Sequence, residues 1–133
     1  DAEVSGGVLL SNGSWPGYLE PPALVMEGYT VMADELCREF SRTALWPSRV
    51  YLQAGVGGLA AAVAWMIREH WPVQPEIIVV EPDAAPCIKE SVVTGRLLQV
   101  AGPVSNMGRL DCKVPSLLAL QVLEYGGPVC TGQ

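Results

Sequence analysis

The chain has 133 residues, of which half are apolar and only 17% are charged, so a disordered protein is excluded and one compact domain is expected. Its net charge is −6 and its eight basic residues form no cluster, which argues against a nucleic-acid partner. No apolar stretch is long enough to span a bilayer, so we expect a cytoplasmic protein without a membrane partner. The four cysteines form no CxxC pair, so we predict no metal site and reduced thiols, with a Cys87–Cys112 disulfide as the alternative.

The first elements along the chain are predicted to be a short strand and a long helix. Val8-Leu9-Leu10 is an apolar run between turns that contain glycine, which predicts a brief strand. In residues 23–40 apolar side chains recur every three or four positions, which predicts an amphipathic helix.

The remaining elements alternate between strand and helix. Strands are predicted at residues 50–54, 77–80 and 97–100, and helices at residues 57–71 and 85–93 and from Pro115 to about residue 125. Continuous apolar strands that alternate with helices are typical of parallel sheets buried on both faces. We therefore predict an α/β fold, a Rossmann-like parallel sheet covered by helices, in a single domain over residues 1–133.

A glycine turn joins the strand at residues 50–54 to the helix that follows it. Its residues are Gly55, Val56, Gly57 and Gly58. Glycine permits a sharp turn and the close approach of a ligand. The first N–H groups of a helix have no partners within it and carry partial positive charge. The turn is therefore predicted to bind a phosphate, and a tight packing turn without a ligand is the alternative.

The kind of phosphate compound is not fixed by the turn alone. Residues 55–60 fit the dinucleotide fingerprint G-x-G-x-x-[GA], and Glu81 ends the next strand where a ribose-binding acid would lie. Because Pro82 follows it, Glu81 is also suited to fixing a turn. The lysines, Lys89 and Lys113, do not lie in a Gly-Lys-Ser/Thr sequence, so a Walker A site is excluded.

Five blocks of the sequence together point to a known family. Two are the glycine turn within LQAGVG and the VVEPD block with Cys87. The other three are SWPGY (residues 14–18), GYTVMADE (residues 28–35) and MGRLDCKVP (residues 107–115). The first two resemble the fold-type II pyridoxal-phosphate enzymes, and the other three most resemble, among these enzymes, the diaminopropionate ammonia-lyases. The order and spacing of these blocks agree with the family over nearly the whole chain.

The resemblance implies a lyase that converts 2,3-diaminopropionate, a small amino acid, to pyruvate and ammonia. It further implies that Gly55, Val56, Gly57 and Gly58 bind the phosphate of pyridoxal phosphate. The lysine that holds the cofactor as a Schiff base lies further upstream in the family, and neither Lys89 nor Lys113 matches it. We therefore expect a central fragment of a longer enzyme, inactive by itself, and regard a homodimer as a further expectation.

The chain also differs from the family at residues near the expected site. Asn12 stands where the family carries an acid, and an amide cannot act as a carboxylate base. Gly108-Arg109 replaces Ala-Gly, and Lys113-Val114 replaces Gly-Glu. Two further functions therefore stay open: a free-standing nucleotide-binding or regulatory domain, and a non-catalytic packing module.

Overall fold

A parallel sheet of three strands, in the order β1-β2-β3, forms the centre of the fold. The computed structural model describes residues 5–125 and 130–132, the last three by their backbone only. The strands are β1 (Arg49–Gln53), β2 (Glu76–Val80) and β3 (Cys130–Gly132), and the helices are α1 (Glu20–Thr43), α2 (Gly58–His70), α3 (Cys87–Thr94) and α4 (Leu117–Tyr125). The α/β fold with a parallel sheet and covering helices is confirmed.

The register of the sheet brings the carboxyl ends of β1 and β2 to the same edge. Arg49 pairs with Glu76 and Gln53 pairs with Val80, and the backbone N–H of Ala54 extends the ladder to the carbonyl of Val80 at 2.9 Å. In parallel α/β sheets this edge is where ligands bind. The glycine turn starts there.

Helix α2 packs between the sheet and the helices α1 and α4. Its alanines make this possible because their small side chains let neighbouring elements approach closely: Ala60, Ala61 and Ala64 are fully buried. At the end of α2, the rings of Phe40, Trp46 and Trp71 lie 5.4 to 5.8 Å apart. The indole N–H of Trp71 also donates to the carbonyl of Ala33 at 3.2 Å, which fastens α2 to α1.

Two predicted strands are wrong. Residues 8–10 are not a strand, and their side chains are 60 to 85% exposed because no neighbouring strand pairs with them in the described part of the chain. Residues 97–100 form a loop, in which the N–H of Val100 donates to the carbonyl of Lys113 at 2.8 Å instead of joining the sheet.

Other boundaries also differ from the sequence prediction. The first helix is longer than predicted, and the last helix begins two residues after Pro115. Strand β1 is not buried throughout: Tyr51 is 61% exposed, because its side chain points to the face of the sheet opposite to that of Leu52, which is 5% exposed. No helix in these ranges combines the length and apolar character that a membrane span requires.

Candidate functional site

The glycine turn lies between β1 and α2, as predicted, and neighbouring protein segments leave little room for a side chain at two of its three glycines. Gly57 has a left-handed backbone (φ 97°), and a Cβ on it would lie 2.8 Å from Cδ1 of Ile88. A Cβ on Gly55 would lie 2.9 Å from the sulfur of Cys112 and 3.0 Å from the carbonyl oxygen of Arg109. A larger residue is disfavoured at Gly55 by the contact with the backbone oxygen and at Gly57 by the positive φ, which strains any residue that has a Cβ. At Gly58 the nearest atom, Cγ of Met26, would be at an ordinary 3.6 Å.

The first backbone N–H groups of α2 have no hydrogen-bond acceptor among the residues that the structure describes. Gly57 precedes the helix and offers no side chain to cap it, and no acidic residue lies in the first turn. The first helical hydrogen bond runs from the N–H of Ala61 to the carbonyl of Gly57 at 2.8 Å. The N–H groups of Gly58, Leu59 and Ala60 therefore have no acceptor within the helix. Together with the helix dipole they form a site for an anion.

A cavity of about 410 Å³ lies against this helix start. The turn and Leu59 form one part of its lining, and α1 contributes Val25, Met26 and Tyr29. The rest of the lining comes from the end of β1, from Asn12 and from the loop that contains Gly108, Arg109, Leu110 and Cys112. The size suits a cofactor or a small ligand. The structure thus brings Asn12 and the predicted residues Gly55, Val56, Gly57 and Gly58 to one cavity.

Sequence patterns do not identify the other lining residues as part of a site. Tyr29 and Met26 fall on the predicted apolar face of α1, so the sequence indicates packing for them. Arg109 and Cys112 lie more than fifty residues after the turn in a loop, where periodicity gives no signal. Only the resemblance of residues 107–115 to a family block marks this loop.

A pair of buried serines holds the segment of Asn12 beside the turn. The hydroxyls of Ser14 and Ser116 are 2.7 Å apart, and the N–H of Ser14 donates to the Ser116 hydroxyl at 3.0 Å. The Ser14 hydroxyl also accepts the N–H of Leu118 at 2.8 Å, which caps α4. The N–H of Ser116 donates to the carbonyl of Val56 at 2.8 Å. The Asn12 segment, the turn and α4 are therefore fixed to one another.

Glu81 caps α3 and is not free to bind a ribose. Its Oε1 accepts the N–H of Ile88 at 2.7 Å and its Oε2 accepts the N–H of Lys89 at 2.8 Å. Burial raises the pKa of Glu81, although these two N–H groups and the adjacent Cys87 thiol act in the opposite direction. Because both carboxylate oxygens accept backbone N–H groups, Glu81 is not available to bind the ribose of a dinucleotide, and the dinucleotide interpretation is weakened. The turn-fixing role proposed for Glu81 agrees better with these contacts.

Cys87 and Cys112 are free thiols, and both lie close to Gly55. The thiol of Cys87 donates to the carbonyl of Gly55 at 3.5 Å, and burial, together with the charge of Glu81, raises its pKa to about 12. Burial also raises the pKa of Cys112, whose thiol lines the cavity. Both are therefore thiols and not thiolates at neutral pH. Across the described ranges, no three His, Cys, Asp or Glu residues are grouped to hold a metal ion.

Neither lysine of the chain lines the cavity. The ammonium of Lys113 donates to the carbonyls of Ala84 at 2.6 Å and Pro103 at 2.9 Å, and it pairs with Asp111 at 2.7 Å. These contacts hold the loop of residues 101–113 against the segment before α3. Lys113 therefore has a structural role, and Lys89 lies in α3 with its N–H on Glu81.

Comparison with known proteins shows which family the chain resembles. Residues 5–131 match the family described as pyridoxal-phosphate dependent enzyme. The chain is 34% identical over 125 residues to diaminopropionate ammonia-lyase of Escherichia coli (strain K12), which covers 92% of this chain and 31% of that protein. It is also 34% identical over 128 residues to diaminopropionate ammonia-lyase of Salmonella typhimurium, with 92% and 32% covered. The chain thus spans about a third of the length of these relatives.

Solved structures agree with the sequence comparison. The crystal structure of diaminopropionate ammonia lyase from Escherichia coli in complex with D-serine superposes with a TM-score of 0.80 at 32% identity, over 98% of this chain and 31% of that chain. The crystal structure of a fungal L-serine ammonia-lyase from Rhizomucor miehei superposes with a TM-score of 0.70 at 25% identity, over 82% of this chain and 34% of that chain.

Proposed function

Because the chain belongs to the pyridoxal-phosphate dependent enzyme family, we propose that its glycine turn holds the phosphate of pyridoxal phosphate in a lyase that acts on a small amino acid. The observation that carries the proposal is the uncapped start of α2, which faces a cavity of about 410 Å³. The residues present fit the cofactor phosphate, since Gly58, Leu59 and Ala60 offer N–H groups and no carboxylate lies in the first turn.

When bound, pyridoxal phosphate supplies a ring that accepts electrons from the α-carbon of the substrate. The role of the protein is to hold and orient this cofactor. The N–H groups at the start of α2 bind the phosphate, and the serine pair keeps Asn12 and the turn in one rigid arrangement. Val25, Met26 and Leu110 give the cavity an apolar wall. Asn12 can donate or accept a hydrogen bond there but cannot remove a proton as a carboxylate does.

We further propose that the reaction is the elimination of ammonia from a diamino acid or a related amino acid, and that the Schiff-base lysine is neither Lys89 nor Lys113. The identity to diaminopropionate ammonia-lyases supports the first part, and the position of both lysines outside the cavity lining supports the second. A cytoplasmic homodimer belongs to the same proposal. Exposed apolar side chains such as Leu24, Val31 and Trp65 are compatible with further packing partners.

Calorimetric titration with pyridoxal phosphate, inorganic phosphate and NAD tests the proposal. We expect pyridoxal phosphate and inorganic phosphate to compete for one site, and NAD not to displace them, because Glu81 is not available to a ribose. Binding of NAD without binding of pyridoxal phosphate would instead support the nucleotide-binding domain. Absence of binding by all three compounds would support the packing module.

A further inference from the structure

One wall of the cavity is a loop, since residues 101–116 contain neither a helix nor a strand. This loop contributes Gly108, Arg109, Leu110 and Cys112 to the lining. It packs on the first residue of the glycine turn: a Cβ on Gly55 would lie 2.9 Å from the sulfur of Cys112 and 3.0 Å from the carbonyl oxygen of Arg109. Because no helical or sheet ladder holds these residues, the position of the wall depends on the contacts that the loop makes with its neighbours.

The ammonium group of Lys113, the residue after Cys112, joins the loop to the segment before α3. It donates to the carbonyl of Ala84 in that segment at 2.6 Å and to the carbonyl of Pro103 at 2.9 Å. It also pairs with Oδ1 of Asp111 at 2.7 Å. An ammonium group has three N–H donors and three oxygens surround this one, so its capacity is filled within the protein.

These contacts are largely shielded from water. The side chains of Lys113 and Asp111 are only 26% and 13% exposed. Oδ1 of Asp111 is buried and has no hydrogen-bond partner among the described residues, so the ammonium supplies the charge that balances it. Loss of the ammonium from such a site costs more than loss of a surface ion pair. The family block that resembles residues 107–115 has glycine at position 113, so it cannot make these contacts.

We propose that Lys113 is a positioning residue, whose ammonium holds residues 109–112 against Gly55 and so fixes the wall of the cofactor cavity. Lys113 does not line the cavity itself and acts through its neighbour Cys112. Without the ammonium the loop opens locally, at a lower free-energy cost than unfolding of the whole chain. The effect on the ligand rests on the proposed function, whereas the position of the wall can be measured without a ligand.

Timed labelling of the folded chain with iodoacetamide, followed by mass spectrometry, reports on the wall. Lys113→Met removes the charge and keeps a long side chain, and it should raise the labelling rate of Cys112 by about tenfold. Lys113→Arg, which keeps the charge and the donors, should restore part of the protection. Cys87 is the internal reference, because it is fully buried in α3 and a general loss of structure would expose both thiols. Its labelling should stay slow in both variants.

Calorimetric titration with deoxypyridoxine phosphate measures the effect on the ligand. This cofactor analogue lacks the aldehyde and so does not react with lysines. Lys113→Met should weaken its binding by about tenfold, because the wall that closes the cavity is then displaced. Lys89→Met is the matched control: it removes the same charge, but Lys89 does not line the cavity and forms no ion pair within the described ranges. It should leave the affinity and the labelling of Cys112 unchanged.

The two measurements separate the inference from the proposed function. If Lys113→Met leaves the labelling of Cys112 unchanged, or raises the labelling of Cys87 equally, the inference is overturned and the proposed function stands. Equal affinity of the unaltered chain and Lys113→Met for the analogue also overturns the inference. If the unaltered chain does not bind the analogue but Lys113→Met exposes Cys112, the proposed function is overturned, whereas the hold of Lys113 on the loop is supported.

Discussion

Ser14 and Ser116, which are separated by 102 positions in the chain, are joined through hydroxyls 2.7 Å apart in the interior. Both side chains are at most 4% exposed. The pair joins the loop that carries Asn12 to the residue before α4, and the N–H of Ser116 continues the chain of contacts to Val56 in the glycine turn. The packing of segments that are distant in the sequence and the shape of the cavity therefore depend on the same two side chains.

Replacement of either serine by alanine should destabilise the chain. Ser14→Ala leaves the N–H of Leu118 without its acceptor and removes the bond between the two hydroxyls, although the N–H of residue 14 can still donate to Ser116. We therefore expect a loss of about 1–3 kcal/mol in the free energy of unfolding. The double variant should cost less than the sum of the single variants, since each removes the partner of the other. Urea denaturation of the three variants measures this coupling. Strictly additive losses would contradict a direct bond between the serines.

The glycines of the turn should differ sharply in their tolerance of alanine. Gly57→Ala introduces a Cβ 2.8 Å from Ile88 at a positive φ, so we expect a loss of roughly 1–3 kcal/mol. Gly58→Ala adds the same atom at a helical position with an ordinary contact at 3.6 Å, so its effect should stay within about 0.5 kcal/mol or be stabilising. Denaturant unfolding of both variants gives the comparison. Equal losses would show that the turn geometry is wrong.

The burial of Glu81 should make the free energy of unfolding depend on pH. Burial raises the pKa of Glu81 in the folded chain above its unfolded value, so the folded chain binds its proton more tightly. Its contribution to stability is then fully present below the unfolded pKa and is lost as the pH rises through the folded pKa. Relative to Glu81→Gln, which stays neutral, the unaltered chain should lose stability as the pH is raised from the acidic range towards neutrality. Chemical denaturation of both proteins across this range measures the trend, and a gain instead of a loss would contradict it.

The two thiols beside Gly55 should react slowly with alkylating reagents. With a pKa of about 12, Cys87 is ionised at pH 9 to only about 0.1%, and it is buried as well. Cys112 is less buried and lines the cavity, so a bound phosphate compound should slow its reaction further. Mass spectrometry after timed treatment with iodoacetamide at pH 9 measures both sites, with denatured chain as the control. Rapid labelling of Cys87 in the folded chain would contradict its burial.

The sequence predicts the central fold well because strand and helix periodicities there agree with the burial that the sheet imposes. Residues 77–80 and the Ala-rich helix α2 are examples, and the glycine turn between β1 and α2 follows from its position alone. Residues 8–10 show the limit of this reasoning. Their composition favours a strand, but a strand needs a partner, and no described residue provides one. Local sequence does not contain that information.

The site is predicted less completely than the fold because its walls come from distant segments. Asn12 is marked only by the resemblance to a family, and the structure places it at the cavity through the Ser14–Ser116 pair. The role of Glu81 cannot be decided from spacing, since an acid at a strand end can bind a ribose or cap a helix with equal ease. Its two N–H contacts distinguish these roles.

The central claim is that the start of α2 binds a phosphate. It is tested most directly by introducing a negative charge at position 58. A Cβ at this position has its nearest contact at an ordinary 3.6 Å, and both aspartate and asparagine are favoured at helix starts. The measurement is calorimetric titration of Gly58→Asp and Gly58→Asn with pyridoxal phosphate, with thermal unfolding to verify that both variants are folded. We predict that the aspartate variant, which places a carboxylate on the N–H groups, binds at least about tenfold more weakly than the asparagine variant. Equal affinities in two folded variants would contradict the claim.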